Sequence, residues 1–308
     1  MIIDLQINKI ASFQHLDILA NQIVEGFISG MHKSPFHGFS AEFAEHKIYN
    51  PGESTKHIDW KLFAKTDRLY TKRYEEETNL RCHLIIDNSS SMHYPKLNNK
   101  QLFYENKIGF AVLASAVLMN LLKKQRDAVG LSVFSDHYEY YAPEKGSDRH
   151  HRMVLNQLES LLENKTVSKK TDTITHLHQI AEKMHRRTMI ILFTDMFQSG
   201  NEAELLTALQ HLKHNKHKVV LFHVTDNKTE LSFDFDNVPR KFVDLETGDE
   251  VAIFANNIKE EYEKQAKNYF KKIELTCAKN KIKYVPVNVG GSFEKIMTAY
   301  LVEKHIFR

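Results

Sequence analysis

Residues 84–92 read Leu84-Ile85-Ile86-Asp87-Asn88-Ser89-Ser90-Ser91-Met92, an apolar run that continues directly into Asp-x-Ser-x-Ser. The apolar part is typical of a buried strand. One carboxylate and two hydroxyls, spaced two residues apart, follow where that strand ends. Oxygen groups of this kind are the ligands that a hard divalent cation prefers. The stretch therefore predicts a buried strand and, at its end, half of a metal-binding cage.

Short apolar runs alternate with helical patterns through the rest of the chain. Because this alternation is typical of parallel sheets covered by helices, residues 80–308 are predicted to form a doubly wound, mostly parallel α/β sheet with helices on both faces. The expected strand order is 3-2-1-4-5-6, which places strands 1 and 4 side by side. In chain order, the strands are predicted at residues 84–86, 129–134, 138–141, 189–193, 218–224 and 283–289.

The first 79 residues have a different pattern. Residues 17–27 predict an amphipathic helix, and residues 68–74 show strand-like alternation. We therefore expect residues 1–79 to form a smaller α+β module. Trp60, the only tryptophan of the chain, is expected to anchor this module onto the larger domain.

Composition argues against several classes of partner. The net charge is only +3, and the densest basic run, residues 211–218, contains no aromatic residue on which a base could stack, so no nucleic-acid partner is expected. The longest apolar stretch, residues 108–122, falls short of the roughly 20 residues of a membrane span and predicts a buried helix. The first residues lack the pattern of a secretory signal. Two distant cysteines, Cys82 and Cys277, favour reduced thiols and a cytoplasmic protein.

A second carboxylate completes the predicted metal site. Asp195 follows the fourth strand, and the carboxyl ends of neighbouring parallel strands meet at one edge of the sheet, so Asp195 is expected beside Asp87. A hydroxyl from the loop before the helix at Leu177 would join them. Two carboxylates and neutral hydroxyls suit Mg²⁺ or Mn²⁺ and leave a position open, which a carboxylate of another protein could fill. The predicted ligands are Asp87, Ser89, Ser91, Thr171 and Asp195.

This set of residues resembles the metal-ion-dependent adhesion site of von Willebrand factor A domains, in which Asp-x-Ser-x-Ser is followed by a later threonine and by an aspartate after a strand. The resemblance implies a von Willebrand factor A-like fold. It also implies that the ion serves recognition, with no catalytic residue required.

A longer segment is similar to a bacterial family, the domain of unknown function 58. Residues 49–61, Tyr-Asn-Pro-Gly-Glu-Ser-Thr-Lys-His-Ile-Asp-Trp-Lys, resemble its signature Tyr-x-x-Gly-Asp-x-x-Arg-x-Ile-Asp-Trp, with Glu53 and Lys56 in place of Asp and Arg. Residues 242–248 resemble its Asp-x-x-Thr-Gly segment. The resemblance implies a non-enzymatic adaptor or chaperone-like partner of a MoxR-type AAA+ ATPase.

The main alternative is a Mg-dependent phosphohydrolase that uses Asp87 as its nucleophile. The haloacid-dehalogenase pattern requires a second aspartate two residues later, where this chain has Ser89. No lysine is placed clearly for phosphate, and Lys107 and Lys124 stay open as phosphate ligands. Nucleotide binding is disfavoured because neither glycine-rich phosphate-loop motif is present. A purely structural protein without an ion is the third possibility.

Overall fold

The structure, a computed structural model, describes residues 16–31, 45–49, 55, 58–73, 80–97, 101–163, 173–196, 202–214, 216–236, 238–244 and 248–302. The strands are β1 (Glu45–Ile48), β2 (Tyr70–Arg73), β3 (Arg81–Asp87), β4 (Ala128–Phe134), β5 (Tyr138–Lys145), β6 (Met189–Thr194), β7 (Lys218–Thr225), β8 (Pro239–Val243), β9 (Glu250–Phe254) and β10 (Lys283–Asn288). The helices are α1 (Leu16–Met31), α2 (Trp60–Thr66), α3 (Lys107–Lys124), α4 (Asp148–Glu163), α5 (Thr173–Lys183), α6 (Glu202–His214), α7 (Ala255–Lys279) and α8 (Phe293–Val302).

A six-stranded sheet forms the centre of the larger of two compact units. Its order is β10-β7-β6-β3-β4-β5, which is the predicted order read from the other edge. All neighbouring strands are parallel except β5, which runs antiparallel to β4 at the edge. The doubly wound, mostly parallel α/β architecture predicted from the sequence is therefore confirmed.

Helices cover both faces of this sheet because successive residues of each central strand point to opposite sides. On one face, Ile85, Ile190 and Leu221 belong to a buried cluster with residues of α5, α6 and α7. On the other face, the stacked rings of Phe193 and Phe222 contact α8 through Tyr300. Helix α3 is buried along most of its length, as the sequence predicts. None of the helices among the described residues is long and apolar enough to cross a bilayer.

Helix α1 clusters with the residues after Leu80. Leu19, Ile23 and Val24 on its apolar face are buried. Asn120 of α3 also donates a hydrogen bond to the carboxylate of Asp17. The expectation that residues 1–79 form one module thus does not match the compact units, because the amphipathic helix buries its apolar face in the larger unit.

The smaller unit, Gly30–Asn79, contains an antiparallel pair, β1 and β2, and the short helix α2. Asp59 caps α2 by accepting hydrogen bonds from the backbone amides of Lys61 and Leu62. This cap ends the strand-like alternation, so Trp60 begins a helix and is 62% exposed. The prediction that Trp60 anchors the module by packing is therefore wrong. Residues 50–54 and 56–57 of the signature lie outside the described residues.

Candidate metal centre

Asp87 and Asp195 meet at the carboxyl edge of the sheet, as the strand order predicts. Asp87 is the last residue of β3, Asp195 directly follows β6, and these strands are parallel neighbours with Ile86 opposite Phe193. Both carboxylates are buried, with 1% and 0% of their surfaces exposed. Two negative charges are thus brought together at the point where the chain leaves the sheet.

The carboxylate of Asp87 is held by the residues around it. Its Oδ1 atom accepts a hydrogen bond of 3.0 Å from the Ser89 amide, and its Oδ2 atom accepts one of 2.8 Å from the Thr194 hydroxyl. Burial and the charge of Asp195 raise the pKa of Asp87 to about 7, against these hydrogen bonds, which lower it. Each carboxylate oxygen has a second lone pair, so a cation can still bind.

The two predicted serines lie together beside this carboxylate. The Oγ atoms of Ser89 and Ser91 are 3.0 Å apart, at the start of a short 3₁₀-helix, Ser90–His93. Ser89 is buried, whereas Ser91 is half-buried. The fifth predicted ligand, Thr171, lies outside the described residues, which resume at residue 173. The structure thus brings four of the five predicted side chains to one sheet edge.

A lysine and a glutamate extend the site. Lys107, at the start of α3, is fully buried, and its Nζ atom lies 2.7 Å from Asp195 Oδ2 and 2.5 Å from Glu230 Oε1. Burial disfavours the ammonium, but the two carboxylates outweigh it and raise the pKa of Lys107. For Glu230, burial dominates and raises the pKa despite Lys107. When all three carboxylates are ionised, the one ammonium leaves two negative charges uncompensated among these four side chains, and the raised pKa of Asp87 reflects this excess of negative charge.

His223 of β7 fixes the backbone at Asp195. Because a carbonyl oxygen only accepts, the 2.9 Å contact requires His223 Nε2 to donate to the Asp195 carbonyl, and Nδ1 then accepts from the Tyr284 hydroxyl. Burial lowers the pKa of His223 to about 4, so this imidazole is neutral at physiological pH. The neutral ring leaves the charge balance of the site unchanged.

These residues fit a hard divalent cation. The donor atoms are carboxylate and hydroxyl oxygens, and the uncompensated charge equals that of one Mg²⁺ or Mn²⁺ ion. Within the described part of the chain, no group of three or more histidine, cysteine, aspartate or glutamate side chains is placed to hold a metal. Hydroxyl ligands are therefore an essential part of the proposed set.

A second polar cluster has the arrangement of a hydrolase triad. His83 Nε2 lies 2.6 Å from Ser132 Oγ, and His83 Nδ1 lies 2.6 Å from Glu144 Oε1. The side chains of His83 and Glu144 are both 0% exposed, and Ser132 is fully buried as well. A catalytic nucleophile must reach its substrate, so the buried Ser132 does not serve as one. The network instead ties β3, β4 and β5 together.

One family matches most of this chain. The family described as "Protein of unknown function DUF58" matches residues 45–271. Uncharacterized proteins Mb1516 of Mycobacterium bovis and Rv1480 of Mycobacterium tuberculosis are each 20% identical over 216 residues, which is 70% of this chain and 65% of theirs. The chain thus spans about 65% of the length of these curated relatives.

The solved structures similar to this chain include BatB and the SpRpn10 VWA domain. BatB from Bacteroides thetaiotaomicron is 15% identical, with a TM-score of 0.42, over 73% of this chain and 98% of that protein. The SpRpn10 VWA domain is 12% identical, with a TM-score of 0.38, over 71% of this chain and 93% of that domain. Since the family match covers well over half of the sequence, the protein belongs to the DUF58 family.

Proposed function

We propose that this protein is a non-enzymatic interaction module that binds a carboxylate of a partner protein through a divalent ion. The ion, Mg²⁺ or Mn²⁺, is held by Asp87, Ser89, Ser91 and Asp195, with Thr171 as the fifth ligand. When bound, it supplies an electrophilic centre whose coordination shell the partner completes. The protein acts in the cytoplasm as an adaptor or chaperone-like partner of a MoxR-type AAA+ ATPase.

One observation carries this proposal. Two buried carboxylates and two adjacent hydroxyls lie at the carboxyl end of neighbouring parallel strands, where the ammonium of Lys107 contacts Asp195. Ionising both buried carboxylates costs several kcal/mol unless a counter-ion compensates them, which is why the pKa of Asp87 is raised in the absence of an ion. A divalent cation is such a counter-ion, and hydroxyl ligands leave its charge available to a third carboxylate.

Binding of Mn²⁺ tests the ion site directly. The electron paramagnetic resonance signal of free Mn²⁺ should fall as wild-type protein is added, and excess Mg²⁺ should restore it. Asp87→Ala should abolish this effect, because it removes a buried ligand. Asp136→Ala is the matched control, since Asp136 lies in the loop after β4 and is exposed. Equal binding by wild type and Asp87→Ala would remove Asp87 from the site.

Binding to the proposed partner is tested with a purified MoxR-type ATPase that is encoded in the same genome. Wild-type protein should bind it in Mg²⁺ and lose binding in EDTA, whereas Asp87→Ala should bind weakly in both. Equal binding by the two proteins would contradict an ion at the interface. Turnover of p-nitrophenyl phosphate that is lost in Asp87→Asn would instead support the phosphohydrolase alternative.

A further inference from the structure

Lys107 connects three segments that surround the candidate ion site. It begins α3, whereas its two carboxylate partners come from the end of β6 and from the short π-helix Asn227–Leu231 after β7. Glu230 is itself held in place, because its Oε2 atom accepts a hydrogen bond of 2.8 Å from the Asp226 amide. The ammonium is thus fixed at one position within the site.

Asp195 is held from two sides. Its carbonyl accepts from His223, and its Oδ2 atom accepts from Lys107 at 2.7 Å. A cation bound to Asp87 therefore meets an Asp195 carboxylate whose charge is already partly neutralised. Because like charges repel strongly where water is excluded, the ammonium also opposes the ion directly.

We propose that Lys107 is a positioning residue that acts as an internal counter-cation and weakens divalent binding at this site. This inference rests on the proposed function. It explains how a site with two buried carboxylates keeps its ion exchangeable. Without the lysine charge, Asp195 is still oriented through its backbone, and the charge that Lys107 neutralises becomes available to the metal.

The test is the Mn²⁺ dissociation constant of Lys107→Met, measured by the resonance assay described above. Mutating a residue that contacts a metal ligand commonly changes metal affinity by roughly 10- to 100-fold. Because Lys107→Met removes a positive charge that repels the ion, the change should be tighter binding of about that size. Lys107→Arg, which keeps the charge, should stay close to wild type. Glu230→Gln keeps the Lys107–Asp195 pair and should bind no more tightly than wild type.

Each outcome of this experiment either supports or contradicts the proposed role of Lys107. If wild type binds Mn²⁺ through Asp87 but Lys107→Met binds equally or more weakly, the role of Lys107 is wrong and the proposed function stands. If neither protein binds Mn²⁺, both are wrong. Should Lys107→Met fold only with Mn²⁺, that rescue supports the inference. Should it not fold at all, the double variant Lys107→Met/Glu230→Gln, which removes one uncompensated carboxylate, is measured against the same expectation.

Discussion

The buried pair of His83 and Glu144 gives the sharpest test of how the sheet is held together. Both side chains are 0% exposed, and they are joined by a 2.6 Å hydrogen bond between β3 and β5. Glu144 Oε2 is buried and makes no hydrogen bond among the described residues. In His83→Leu the carboxylate loses its partner, and breaking a buried pair in this way costs about 3–5 kcal/mol.

A double-mutant cycle separates this cost from simple loss of packing. Glu144→Leu should cost less than His83→Leu, because leaving an imidazole buried without this partner costs less than leaving a carboxylate buried without it. The double variant should be more stable than the sum of the two single effects predicts, since both polar partners are then absent. Ser132→Ala, which removes one hydrogen bond of the same histidine, is the control and should cost about 1–3 kcal/mol.

Urea unfolding followed by circular dichroism at 222 nm measures these free energies. A cost below about 1 kcal/mol for His83→Leu would refute the argument from an unpaired buried charge. Additive single and double effects would show that the two side chains do not interact. Either result would mean that the antiparallel edge strand is held by its backbone pairing and apolar contacts alone.

Three further predictions follow from individual residues. Gly109→Ala should destabilise the protein by about 1–3 kcal/mol in the same urea assay, because the new Cβ would lie 1.9 Å from a backbone oxygen of Phe103. Gly146→Ala is the control: the atom nearest to its new Cβ is 3.7 Å away, so this variant should unfold like wild type. Burial tends to raise the pKa of Glu144, but its histidine partner lowers it below the ordinary value. The ionised carboxylate therefore stabilises the folded state above the unfolded-state pKa, and this stabilisation is lost as the pH falls through the folded-state pKa. The urea midpoint should drop on acidification, and it should drop less in Glu144→Gln. Burial raises the pKa of the Cys277 thiol to about 12, so a disulfide reagent at pH 8 should modify it only after unfolding, and labelling of native protein would contradict its burial.

The sheet could be predicted from the sequence because its signal is local. A strand buried on both faces must be a continuous apolar run, and runs such as residues 84–86 and 189–193 have few other uses in a water-soluble domain. Strand order then follows from the rules of doubly wound sheets. The module boundary was harder to predict, because an amphipathic pattern shows that α1 buries one face but does not identify the element that covers it. Trp60 was misjudged for a related reason, since its size suggested packing while the preceding Asp59 cap places it on an exposed helix start.

The residues of the candidate site also differ in whether the sequence could predict them. Asp87 and Asp195 were predictable because each is fixed by the end of a strand, and strand ends follow from topology. Lys107 and Glu230 were not, because a lysine at a helix start and a glutamate in a turn usually face water. Lys107 is buried where it contacts Asp195 and Glu230, since an ammonium is drawn to the same negative charge that draws a divalent ion. Lys107 and the proposed metal ion therefore compete to neutralise the same carboxylate, that of Asp195. The affinity of the site for the ion depends on how strongly Asp195 interacts with each of these two cations.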